Sequence, residues 1–98
     1  MSYLVFCTFD LKTARREDQL YLYADLAKLG LNKTVKSDDG RSVNIPATAV
    51  MGMLDGKTVN DVRSNIVRSV QDVFKTRGYN GEFFVVVSGD WACGGGSS

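Results

Sequence analysis

Asp10 closes an apolar run, Tyr3-Leu4-Val5-Phe6-Cys7-Thr8-Phe9, and Lys12, Arg15 and Arg16 follow it closely. A carboxylate at a strand end beside a basic loop suits phosphate chemistry. The cations can contact a phosphodiester, and the carboxylate can help hold Mg²⁺, which accepts a few carboxylates together with water and phosphate oxygens. Asp10 is therefore the candidate catalytic residue, and Lys12, Arg15 and Arg16 are the candidate nucleic-acid contacts. Glu82, or Asp10 of a second subunit, is the candidate second carboxylate. The same residues also have a plain structural use. Asp10 can cap the loop that leaves its strand, and the cations can form a solvated helix face with Glu17, Asp18 and Asp25 interleaved. Tyr21, Tyr23 and Tyr79 can stack on bases or serve as core and rim aromatics.

Other chemistries are excluded by composition. Histidine is absent, which removes the usual general base, the Ser-His and Cys-His nucleophile pairs and most transition-metal sites. No Walker loop, Gly-x-Gly-x-x-Gly or Cys-x-x-Cys occurs, and no metal-ligand set is assigned. The cysteines, Cys7 and Cys93, make no disulfide framework, so a reducing compartment, the cytoplasm, is expected. A net charge of +1 supplies no global field toward nucleic acid. No apolar run is long enough to cross a bilayer, and Met1–Phe6 reads as a strand rather than a leader.

The elements that must position these residues follow from periodicity. At 98 residues a single domain is expected over 1–91, with 92–98 a flexible Gly/Ser tail. The first strand, Tyr3–Phe9, is apolar on both faces and is read as central and covered on both sides, with a partner subunit as the second cover. A helix follows from Thr13 to about Leu29, where Leu22, Leu26 and Leu29 form a stripe and Gly30 ends it. A short second strand, Leu31–Lys36, leads through Ser37-Asp38-Asp39-Gly40 into a third, Val43–Met51, interrupted by Pro46. Thr58 opens a second helix with Val59, Val62, Ile66, Val70 and Val73 on one face; Gly78 closes it. Glu82–Ser88 is read as a buried fourth strand.

That order predicts an α+β, ferredoxin-like βαββαβ fold: a four-stranded antiparallel sheet ordered 4-1-3-2 with both helices on one face. In it Asp10, the Asp38-Asp39-Arg41 hairpin, Arg77 and Glu82 share one edge, and Asp90 lies at the other. The third strand has no aromatic residue, which excludes an RRM. Trp91 is expected to be exposed beside the last strand.

A strand ending in Asp (Val5-Phe6-Cys7-Thr8-Phe9-Asp10), a helix closing with Leu29-Gly30-Leu31, the Ser37-Asp38-Asp39-Gly40 hairpin and a late apolar strand resemble the GhoS-type antitoxin endoribonucleases, the CRISPR-associated small nuclease-like subunit and the VapD ribonucleases. The resemblance implies a ferredoxin-like homodimer acting on RNA in a toxin–antitoxin or phage-defence setting, with Asp10 at the family's strand-end aspartate. A second reading, of a different class, is a non-enzymatic protein-interaction module, such as a phage- or mobile-element-encoded inhibitor of a defence complex.

Overall fold

The computed structural model describes all residues except 13–15, 37–39, 41, 46–47, 93 and 95–98. Its elements are β1 (Ser2–Leu11), α1 (Arg16–Lys28), β2 (Thr34–Lys36), β3 (Ser42–Asn44), β4 (Ala49–Asp55), α2 (Val59–Arg77) and β5 (Gly81–Ser88). β1 is central: it pairs antiparallel with β4 on one side and with β5 on the other.

Strand alternation sorts β1 into two faces. Tyr3, Val5, Cys7 and Phe9 are buried beneath the helices, in one cluster with Leu22 and Leu26 of α1 and Val62, Ile66, Val70 and Phe74 of α2. Both helices therefore lie on the same face. The buried residues of α2 recur every four positions, a stripe that a straight helix can lay along a sheet. Its ends are set by local chemistry. The Thr58 side chain accepts from the Asp61 N–H at 3.1 Å. Gly78, at φ 70°, turns the chain out while its N–H and that of Tyr79 bond back to Lys75 and Phe74. The molecule is 19 Å through its thinnest direction, the depth of one helix layer on one sheet.

The four-stranded 4-1-3-2 sheet is not found. Among the described residues the main sheet has three strands, ordered β4-β1-β5, and β2 with β3 forms a separate two-stranded ribbon. The stretch expected as one strand over Val43–Met51 is two, Ser42–Asn44 and Ala49–Asp55. A proline has no N–H to give a ladder, and Pro46, itself outside the described residues, falls in the gap between them. The expected second strand meets β4 at a single bridge, Asn32 with Met51, whose two backbone bonds are 2.7 and 2.8 Å. Beyond it Thr34–Lys36 pairs with Ser42–Asn44 and leaves the sheet.

One close approach fixes where the α1–β2 connection lies. A Cβ on Gly52 of β4 would stand 1.8 Å from the Gly30 carbonyl oxygen, so backbone rests directly on backbone there. The opposite face of the sheet is covered only in part, and by the chain itself. Ile45, Ala49 and Met51 form a second small cluster against Leu4 and Phe6.

Candidate functional site

Asp10 lies exposed near the end of β1, and the register sets it directly opposite Glu82 of β5. Both belong to the face away from the helices, by the parity that they share with Phe6 and Phe84. Like charges opposed across a sheet repel. Lys12, in the turn after β1, offsets this with its Nζ 3.6 Å from Glu82 Oε1, an exposed and hence weak ion pair. The structure thus brings together Asp10, Glu82 and Lys12. Arg16 is the first residue of α1; Arg15, Asp38, Asp39 and Arg41 lie outside the described residues. No group of three or more His, Cys, Asp or Glu that could hold a metal occurs among the described residues, so Asp10 and Glu82 would give Mg²⁺ two carboxylates and leave the rest to water and substrate.

Arg77 was expected on the same edge, but its side chain is engaged elsewhere. Its Nε donates to Asp25 Oδ2 at 2.7 Å and its Nη2 to Oδ1 at 3.0 Å, a two-pronged grip that ties the end of α2 to α1. That guanidinium holds the Asp25 carboxyl below the usual carboxylate range. Beside it the Tyr79 hydroxyl donates to the Asp18 carbonyl at 3.2 Å, and burial pushes the phenol pKa up. Tyr23 packs edge-on against Phe9 at 5.5 Å with Lys33 over its ring, and Tyr21 is exposed within 5.6 Å of Arg77. Tyr23 and Tyr79 serve the helix layer. The Cys7 thiol, fully buried, is pushed up to about 11, which leaves it protonated and unreactive. Asp90 sits past Ser88, which pairs with Leu4 at the far end of β1 from Asp10.

The largest feature of this face was legible only in part. Phe84 is 66 % exposed, Met53 49 % and Val86 47 %, and with Leu4 and Phe6, half-buried against Ile45, Ala49 and Met51, they make an apolar surface across all three strands. Glu82–Ser88 was expected to be buried; it holds the edge place beside β1 that the 4-1-3-2 order gave it, but its alternate side chains face outward. An apolar run on both faces is the signal for a covered strand, and here the helices cover one face only. Acidic groups stand at both ends of the surface, Asp10 and Glu82 at one and Asp55, held by the Ser2 hydroxyl, at the other. Trp91 is exposed just past β5.

Compared with known proteins, the chain matches no family model, no curated protein and no solved structure. No helix among the described residues is long and apolar enough to cross a membrane.

Proposed function

We propose that this chain is a protein-interaction module whose working surface is the open face of the β4-β1-β5 sheet. One observation carries the reading: Phe84, Met53 and Val86 stand exposed on the sheet, beside the half-buried Leu4 and Phe6, as one apolar surface. Contiguous apolar surface is costly to leave in water and marks a contact site. The acidic residues at its ends, Asp10, Glu82 and Asp55, select a partner protein with an apolar patch flanked by basic side chains. They also repel a phosphate backbone from that face. The reading assigns the chain to the cytoplasm, where a free thiol such as Cys7 stays reduced.

The test is affinity capture from lysate with the wild type beside Met53→Glu. A stoichiometric protein held by the wild type and lost with the variant is the expected result. Recovery of no stoichiometric partner, or of one indifferent to Met53→Glu, overturns the reading.

A second reading has its own observation. Asp10 and Glu82 oppose each other in register with Lys12 beside them, the pair that an RNA-cleaving or RNA-binding dimer of toxin–antitoxin or phage-defence type would use with Mg²⁺. In that reading Asp10 is catalytic and Lys12, Arg15 and Arg16 contact phosphates. Single-stranded RNA incubated with and without Mg²⁺ decides it. Cleavage by the wild type that Asp10→Ala abolishes supports the nuclease; no cleavage, or cleavage undiminished in the variant, rejects it.

A further inference from the structure

The outer edge of β5 carries a second, independent binding feature. Lys12 N–H bonds to the Asn80 carbonyl at 2.8 Å, which makes that position a hydrogen-bonded pair of the antiparallel ladder. Pairs alternate along the strands, so Asp10, Thr8, Phe6 and Leu4 exchange bonds with Glu82, Phe84, Val86 and Ser88. The N–H and C=O groups of Gly81, Phe83, Val85 and Val87 then point away from β1. The same parity is consistent at the other edge: Phe9 bonds to Thr48, and Met51 directs its backbone outward to Asn32. β4 is thus partly closed by the chain itself. Among the described residues no backbone group bonds to the edge of β5.

Such an edge is unusual for a protein that stays single. β5 runs eight residues, Gly-Glu-Phe-Phe-Val-Val-Val-Ser, with no proline, no lysine and no interruption. These are the devices that ordinarily blunt an edge strand.

We propose that two copies of this chain pair β5 to β5, antiparallel across a twofold axis at Val85, so that two three-stranded sheets become one of six strands. The sequence of β5 is self-complementary in this register. Outward-directed residues meet outward-directed residues: Val85 opposes the second copy's Val85, and Phe83 opposes its Val87. Each such pair exchanges two backbone bonds. On the open face Phe84 comes beside Val86, an aromatic with a β-branched residue, a favourable cross-strand neighbour. Glu82 comes beside Ser88, and the two Glu82 carboxylates stay at opposite ends of the strand pair. A register one step along in parity, centred on Phe84, would set each Glu82 against Val86 and is disfavoured for that reason. The twofold contact is closed and uses the same strand from both copies. It also joins the two open faces into one surface of twice the extent.

This proposal stands apart from the reading of the open face, since Met53 is on β4, the strand farthest from the paired edge. Three measurements on the full chain test it. Light scattering at micromolar concentration is expected to return twice the 10.7 kDa chain mass; a monomer overturns the proposal. Residue-resolved amide exchange on the wild type is expected to show Phe83, Val85 and Val87 protected alongside Phe84 and Val86. Rapid exchange confined to the first three overturns it, and this readout needs no variant to fold. Val85→Pro removes an outward N–H that β1 does not use, and is expected to halve the mass, with Met53→Glu leaving it unchanged. A dimer that survives Val85→Pro, or that Met53→Glu dissociates, sits on the open face and rejects the edge contact. Loss of a captured partner in Met53→Glu with the dimer intact separates the two proposals.

Discussion

At the scale of single residues, the best-defined electrostatic contact is the Asp25–Arg77 pair that joins the two helices. Asp25 has its pKa lowered first by the hydrogen bonds from Arg77. A carboxyl depressed in the folded state contributes stability above its unfolded pKa. That contribution is lost as pH falls through the folded value, below the ordinary aspartate range near 3.9. Arg77→Gln is expected to return the Asp25 titration, followed by NMR, to the ordinary range and to remove this part of the acid sensitivity of unfolding. A variant whose Asp25 still titrates low would assign the shift to Lys28 instead. Asp10, by contrast, is exposed, with Glu82 opposite and Lys12 beside them. Its role in either functional reading turns on what binds there rather than on an environment already built around it.

At the scale of elements, the crossover from α1 to the ribbon depends on a glycine in a strand. Strand glycine is ordinarily a loss of packing and of chain order. Gly52 is retained because the Gly30–Leu31 backbone occupies the space of its side chain. Gly52→Ala forces the backbone apart and is expected to destabilise the fold by about 1–3 kcal/mol, the usual range for an overpacked site. Urea unfolding of the variant checks it, and an unchanged midpoint would mean that the connection yields without cost. Among the described residues the ribbon meets the rest of the fold at the Asn32–Met51 bridge, through Ile45, which packs with Ala49 and Met51 against Leu4 and Phe6, and through Lys33 over the Tyr23 ring. The Ile45 N–H to the Lys33 carbonyl at 2.8 Å and Lys33 Nζ to the Ile45 carbonyl at 3.1 Å extend the pairing of its own two strands.

At the scale of the whole molecule, the two faces of one sheet are put to different use. The helix-covered face holds the core. Leu26→Ala, at a fully buried site, is expected to cost about 2–5 kcal/mol. On the other face Ile45, Ala49 and Met51 pack against Leu4 and Phe6, while the exposed Met53, Phe84 and Val86 contribute little to holding the chain together. Met53→Glu is expected to shift stability by no more than about 0.5 kcal/mol, the range of ordinary surface changes. Denaturant curves of the two variants side by side test this division, and a large loss in Met53→Glu would make the open face part of the core.

The two helices, most of their buried stripes, the Thr58 and Gly78 caps and the central place of β1 were legible from local pattern, because periodicity, capping chemistry and β-branched runs act within a few residues. The six-element order was not, since the expected third strand is two, and Val59 of the expected stripe is exposed while Phe74 is buried. The Asp10–Glu82 juxtaposition was legible too, since strand direction alone sends both to one edge. Other features depend on contacts distant in sequence. Pro46 marks an interruption in Val43–Met51; a bulge, or pairing with the first strand mainly after it, was legible there, and the pairing is found over Ala49–Asp55. That Ser42–Asn44 leaves the sheet to pair with Thr34–Lys36 was not. Arg77 reads as an edge cation, yet Asp25 on another helix claims it. Asp10 opened the reading as a candidate catalyst at a strand end. Its surroundings, an apolar sheet face and an open β5 edge, exist only once three distant strands lie side by side, because alternation assigns a side chain to a face but cannot say what covers that face.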